Sequence, residues 1–370
     1  MYRNDQRVIM TLDAGGTNFV FSAMQAGKEI VAPVNLPSIP DDKERCLSQL
    51  VEGFSIVKER LSVEPVAISF AFPGPADYAH GVIGDLPNFP AFKGGVALGP
   101  FLSEKFNLPV YINNDGNLYA YGEALFGFLP EINGILAERG SERSYKNLIG
   151  ITFGTGFGCG VVINNTLLTG DNGCGGDVWL MRNFTASSMI AEENVSIRGI
   201  RRVYQEFSGV DASTLTPKDI FDIAEGTKEG NQRAARESFF QLGEVAGDAI
   251  VHALDIVDGM VVIGGGVSGA AKYILPGIMQ EMRRLLHTFG GGYFPCLQMN
   301  VFNLMDEKER EQFLTDEDHK VKVPFSEKEV TYASHRKVGI AITNVGASKA
   351  VSLGAYAFAL SQLDKMKKGE

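Results

Sequence analysis

The chain has 370 residues, a formal net charge of −10 at pH 7 and four cysteines. That length suits two domains, each large enough for its own core, and the acidic balance argues against nucleic acid as a partner. No stretch approaches a membrane span and the N-terminus lacks the apolar core of a signal peptide. Cys46, Cys159, Cys174 and Cys296 are scattered without C-x-x-C spacing, which points to a reduced, cytoplasmic protein.

In chain order, Val8–Leu12 and Phe19–Ala23 are apolar runs with the pattern of buried strands, joined through Asp13-Ala14-Gly15-Gly16-Thr17-Asn18. Adjacent glycines let backbone N–H groups approach an anion closely, and Thr17 adds a hydroxyl donor. Asp13 would suit a hydrated Mg²⁺ on the same phosphates, although an ordinary β-turn with a structural aspartate has the same pattern. Leu47, Leu50, Val51, Phe54, Val57 and Leu61 recur at helical spacing. Three strands are expected before that helix, and Val66–Phe72 follows it as a buried strand ending at Pro73-Gly74-Pro75. The short strand Val110–Ile112 runs into Asn113-Asn114-Asp115-Gly116-Asn117, and a helix is expected over Leu118–Leu125. Asp115 is there a candidate helix cap, or a carboxylate at a strand end placed to accept a proton from a hydroxyl group. Residues 127–147 are polar and suggest a surface excursion.

The opening pattern then returns. Ile149–Phe153 leads into Gly154-Thr155-Gly156-Phe157-Gly158, and Gly160–Ile163 leaves it, with a turn at Asn164-Asn165. The third glycine of a dinucleotide-binding G-x-G-x-x-G would fall at Cys159, strand rather than helix follows, and no G-x-x-x-x-G-K-[ST] occurs. Helical patterns cover Ser187–Phe207, Pro217–Ala224 and Asn231–Asp258. The strand Val261-Val262-Ile263 closes on Gly264-Gly265-Gly266. Residues 303–337 are dense in charges of both signs and suggest an inserted solvated arm or an intersubunit contact. A last helix is expected over Ala347–Leu363.

D-A-G-G-T-N at 13–18, F-P-G-P at 72–75, P-N-F-P at 87–90, N-N-D-G-N at 113–117, F-G-T-G-F-G-C-G at 153–160, G-D-N-G-C-G-G-D at 170–177 and I-G-G-G at 263–266 occur in an order that resembles the ROK family of sugar kinases over nearly the whole chain. The resemblance implies an α/β, two-domain ribonuclease-H-like fold of the actin/hexokinase type with a cleft between domains. The expected division is 1–117 plus 347–370 for a smaller domain and 118–346 for a larger one holding the nucleotide site. It implies ATP-dependent phosphorylation of a hexose or N-acetylhexosamine by a cytoplasmic homodimer, with no nucleic acid and no membrane as partners. Asp115 would be the general base. Asp13 (through Mg²⁺), Gly15, Gly16, Thr17, Asn18, Gly154, Thr155, Gly156, Gly264, Gly265 and Gly266 would hold the nucleotide. Asn88, Asn114, Asp115, Asp177 and Glu192 would hold the sugar; Asn88 also has the look of a turn residue, and Glu192 of a solvated helix face.

Several positions depart from the family pattern. Asn113 and Gly116 replace a glutamate and an alanine beside the base, and Asp177 replaces a sugar-binding glutamate. Leu180 stands where a histidine is expected, and no cysteine or histidine lies between Asp177 and Arg201, so no structural zinc is expected. Two other functions compete: a sugar-binding pseudokinase, and a family repressor. The repressor needs a DNA-binding module, and only seven residues precede Val8.

Overall fold

The structure is a computed structural model that describes all residues except 15–17, 75, 85–89, 334–335 and 370, with Asp318 and Ala333 described in their backbone alone. Two six-stranded sheets organise it.

In the first sheet, β1 (Ile9–Ala14) pairs antiparallel with β2 (Asn18–Gln25), which in turn pairs with β3 (Lys28–Glu29) and β4 (Val34–Pro37). Four strands, not three, thus precede the first helix. On its other side β1 runs parallel to β5 (Ala67–Ala71), and a small hairpin, β6 (Ala76–Asp77) with β7 (Val82–Ile83), precedes the parallel strand β8 (Val110–Asn113). Parallel neighbours require crossovers, supplied by α1 (Lys43–Arg60) and α2 (Leu98–Phe106). Asp42 caps α1 by accepting from Arg45 N, and the face predicted by its periodicity buries Leu50, Phe54 and Val57. Phe54 meets Phe21 edge-on, ring centres 5.0 Å apart. Alternation along β1 sends Met10 and Leu12 into this core and Ile9 to the opposite face.

That opposite face is covered by α10 (Ala347–Lys368), whose Leu353, Tyr356, Ala359 and Leu360 pack on Ile9, Met24 and Ala67. Burying Leu360 alone is worth about 1.5–3 kcal/mol. α3 (Asp115–Leu125) lies against α10 at backbone contact: a Cβ on Gly122 would overlap Ala350 O, and one on Gly354 would overlap Leu118 O. For this reason the first compact unit, Met1–Pro130 with Gly160–Gly176 and Asn344–Glu370, runs past residue 117, the expected boundary.

The second unit comprises Glu131–Cys159 and Asp177–Thr343. Here α4 (Phe128–Glu138) begins in the first unit and leads to β9 (Leu148–Phe153) and the start of β10 (Phe157–Ile163), whose later residues, with β11 (Thr166–Leu167), count to the first unit. Asn164 and Asn165 make the turn with φ of 50° and 60°. α5 (Ile197–Ser208), α6 (Pro217–Glu225) and α7 (Gln232–Val257) follow, then β12 (Met260–Gly264), α8 (Ala271–Met282) and a hairpin of β13 (Leu285–His287) and β14 (Tyr293–Pro295). β15 (Asn300–Asn303), α9 (Glu307–Leu314), a second hairpin of β16 (Asp318–Lys322) and β17 (Glu329–Ala333), and β18 (Lys337–Ile342) complete it. The sheet order is β11-β10-β9-β12-β18-β15, with β9, β12, β18 and β15 parallel. α6 starts with a capping box, Thr216 and Asp219, with Pro217 at its first position.

Three expectations change. Residues 127–147 are not a surface excursion: α4 buries Phe128, Leu129, Ile132 and Leu136. Residues 303–337 begin and end in sheet strands, and their helix is docked, not a solvated arm. Arg139 holds Glu311 at 2.5 and 2.9 Å, Arg143 holds Asp316 at 2.6 Å, and Tyr145 stacks on Phe313. Lastly, residues 187–196 are loop and one 3₁₀ turn, Ala191–Glu193; the helix starts only at Ile197, where Ser196 caps it.

Candidate active site

Strand register assembles the first group of residues. Asp13 is level with Ala71, and Ala71 with Asn113. At about 4.8 Å between strands, the Asp13 and Asn113 backbones lie roughly 10 Å apart. Both stand at carboxyl ends of parallel strands, where α/β sheets place ligands. Asn113 is buried, and its Oδ1 accepts from Asn114 N (2.8 Å) and from Asn117 Nδ2 (2.9 Å). It makes both bonds without burying a charge, which a glutamate here would not. Asn114 is the cap of α3, its Oδ1 accepting from Asn117 N at 2.6 Å. The capping role considered for Asp115 therefore belongs to its neighbour. Asp115 is instead the exposed first residue of the helix, and its Oδ1 accepts from Gly116 N at 2.9 Å.

Asp13 also keeps access to solvent. Protein packed around it nonetheless pushes its carboxyl above the usual carboxylate range, partial burial acting first and the Asp115 charge second. Asn18 opens β2 and is exposed. Gly15, Gly16, Thr17 and Asn88 lie outside the described residues.

The second unit holds its own group. Gly154-Thr155-Gly156 links β9 to β10, with Gly154 N donating to Gly156 O at 3.2 Å. The turn is braced from one side: Phe157 N donates to Glu192 Oε2 (3.0 Å) and Ile197 N to Gly154 O (3.1 Å). Gly264 is level with Thr152, so the chain leaving β12 runs beside the end of β9. There Gly265 has φ of +89°, and a Cβ on it would overlap Phe153 O, so side chains are excluded twice over. Ser268 fixes the bend through N and Oγ, both donating to Gly265 O, at 3.1 and 2.7 Å. Space is open where Gly154 and Gly266 lack a Cβ, which leaves their backbone accessible to a ligand.

Glu192 is no solvated helix residue. Its Oε2 holds the glycine turn, and its Oε1 accepts from Arg198 Nη2 at 2.9 Å. Ser196 Oγ donates to Glu192 O at 2.7 Å. Sequence reading missed Arg198; its signal was an arginine two residues beyond E-x-x-x-S. Asp177 is half-buried at the start of the 3₁₀ turn Val178–Leu180. Burial, and then the Asp177 charge, push the Cys159 thiol up to about 12, so it remains an inert core group. Leu180 is exposed.

The loop after Asp177 is closed by the Arg182–Ile190 bridge and by a buried bond from Asn183 Nδ2 to Asn194 Oδ1 (2.9 Å), which also accepts from Arg202 Nη2 (2.8 Å). This network braces the segment in which no structural zinc is expected. Among the described residues, no group of three or more His, Cys, Asp or Glu side chains is arranged to hold a metal ion, and no helix is long and apolar enough to cross a membrane.

The chain is similar to glucokinases and to a hexokinase. The glucokinase of Parabacteroides distasonis ATCC 8503 has a solved structure that superposes with a TM-score of 0.87 at 55% identity, over 98% of this chain and 99% of its own. The ROK hexokinase of Thermus thermophilus shares the fold, with a TM-score of 0.66 at 19% identity over 96% of this chain and 99% of its own. The glucokinase of Thermotoga maritima is 26% identical over 305 residues, 77% of this chain and 90% of that protein. The expected α/β fold of the actin/hexokinase type is thereby borne out. The model of the ROK family matches residues 9–295, and the chain belongs to that family.

Proposed function

We propose that the protein is an ATP-dependent hexose kinase in which Asp115 is the general base. The observation that carries this reading is the strand register that puts Asp13 and the Asn113–Asp115 segment at one sheet edge, with Asn114 taking over the cap so that Asp115 is left exposed. Asp115 is the base in this reading, and the open backbone at 154–156 and 264–266 supplies donors for phosphate. Asn114, Asp177 and Glu192, with Asn88, are the sugar contacts in this reading, and Gly15, Gly16, Thr17 and Asn18 add to the phosphate contacts.

Asp115 takes the proton of a sugar hydroxyl as its oxygen bonds to the γ-phosphorus. The bond from that phosphorus to the β,γ-bridging oxygen breaks, and ADP departs. The transition state of such a transfer is loose, so orientation and charge neutralisation supply most of the acceleration. Asp13 fits a role in holding Mg²⁺, since its carboxyl and that of Asp115 repel each other and a divalent cation relieves that repulsion. Bound Mg²⁺ would neutralise phosphate charge.

Glucose is the first acceptor to assay, because the relative at 55% identity is a glucokinase; Asp177 and Leu180 make a wider panel necessary. ADP release is measured with glucose, fructose, mannose and N-acetylhexosamines, alongside calorimetric sugar binding. Sugar-dependent ADP release is expected. Sugar binding with no release for any of them would establish the competing reading, a sugar-binding pseudokinase or regulator. A cytoplasmic homodimer completes the proposal.

A further inference from the structure

The hairpin of β13 and β14 is exposed at every strand residue. Leu286 faces Phe294 across it, and His287 faces Tyr293. Leu285, Leu286, Phe289, Tyr293 and Phe294 are 49–115% exposed, and residues 285–295 contain no Asp, Glu, Lys or Arg. The hairpin of β16 and β17 is two-sided. His319 and Val321 lie opposite Tyr332 and Val330 on one face, while Lys320 and Lys322 lie opposite Thr331 and Glu329 on the other. Val321, Val330, Tyr332 and, in the connecting loop, Phe325 are exposed. In an antiparallel sheet such an apolar face is the one that rests on a core, and a two-stranded hairpin by itself is marginal in water.

Both hairpins arise at the same edge of the second sheet. Pro295 shortly precedes β15 and Ala333 shortly precedes β18, and these parallel strands start level, Asn300 with Lys337. The glycine turns lie beyond the other, carboxyl ends of the parallel strands. The first hairpin is rooted firmly: Arg284 pairs with Glu281 (2.5 Å) and Asp248 (3.0 Å), and Cys296 N donates to Arg284 O at 2.9 Å.

We propose that the two hairpins form the contact surface of the homodimer, packing about a two-fold axis on the same hairpins of a second copy; this rests on the homodimeric reading above. At about 200 Å² per exposed aromatic side chain, the nine residues present on the order of 1,000 Å². The largest apolar patch of a monomer is about 300–600 Å², whereas a stable interface buries about 800 Å² per partner. A two-fold contact uses one self-complementary patch. The first hairpin is apolar on both faces, and in a pair it covers the bare face of the other copy's second hairpin without burying a charge, as interface cores require.

The test is sedimentation velocity at micromolar concentration on the wild type and on the double variant Phe289→Asp, Phe325→Asp. Both positions are fully exposed, so no packing is lost. The expected result is a wild-type dimer, a variant of half that mass, and unchanged kcat per subunit. Amide exchange across both hairpins should slow as wild-type concentration rises, and not in the variant. If the double variant fails to fold, Tyr293→Lys gives the same reading. A wild type that stays monomeric overturns both this surface and the homodimer, and its co-sedimentation with phosphatidylcholine vesicles would assign the hairpins to lipid instead. A variant that stays dimeric overturns the hairpin surface alone.

Discussion

At the carboxyl ends of the parallel strands the chain has been stripped and braced. Gly154 and Gly266 leave backbone open, while Glu192, Ile197 and Ser268 hold it in place with hydrogen bonds. At the amino ends of β15 and β18 the opposite has happened: large apolar side chains are displayed and little holds them from outside. A small anion is recognised by a few donors at fixed positions, so the first region depends on single atoms. A protein surface is recognised by area, so the second tolerates the loss of any one contact and responds to added charge. The two regions should therefore separate cleanly under mutation, one changing turnover and the other association.

The largest effect expected is from Asp115→Asn, which should lower kcat by about 10²–10⁴-fold while sugar and nucleotide still bind. Near-normal turnover would move the base elsewhere. Next is Gly265→Val, which places a branched side chain at φ +89° against Phe153 O. It should cost about 2–4 kcal/mol in a urea titration and raise the KM for ATP; an unchanged midpoint would mean the bend can relax. Asn194→Ala leaves the buried Asn183 amide unpaired and should cost about 1–3 kcal/mol. A strong chelator should leave the melting temperature of the wild type unchanged, and one zinc per chain by elemental analysis would contradict the asparagine network as the loop's support.

The smallest effect concerns Asp13. Its carboxyl is raised in the folded chain, so the fold holds that proton more tightly than the unfolded chain does. The stabilisation this gives is full below the ordinary carboxylate range and is lost as pH rises through the raised value. Ionised Asp13 thus weakens the ligand-free fold at neutral pH. Asp13→Asn should raise Tm there, within about 2 °C, with the gain vanishing in acid, and should weaken Mg·ADP binding. A rise that persists in acid would mean the substitution acts through packing.

The parts legible in the sequence were those whose meaning is local. Strand, glycine turn and strand at 148–163 is written in consecutive residues, and so is the capping box of α6. The face of α1 followed from spacing alone. What escaped were side-chain pairs that no periodicity marks, near as they are in sequence: Arg198 reaching Glu192, Asn183 meeting Asn194, Asn113 holding Asn117. Pro130, Asn133 and Gly134 interrupt the pattern of α4, whose packing overrides those poor helix formers. The choice of Asn114 over Asp115 as cap turned on one residue, and both types cap well. The first hairpin hid behind Gly290-Gly291-Gly292, which suggests a loop until Leu286 and Phe294 are seen to pair.

The position of α10 bears on how the protein is made. Synthesis runs from β1 towards α10, yet the face of β1 and β5 bearing Ile9 and Ala67 is covered by α10. The first unit begins before the second and is covered only after every element of the second has emerged. A nascent chain stalled before residue 347 carries a bare apolar sheet face and an uncovered α3, a surface that aggregates or engages chaperones. The crossing of Gly122 on Ala350 and Gly354 on Leu118 is thus a step that waits for the second unit to emerge as well as a packing contact.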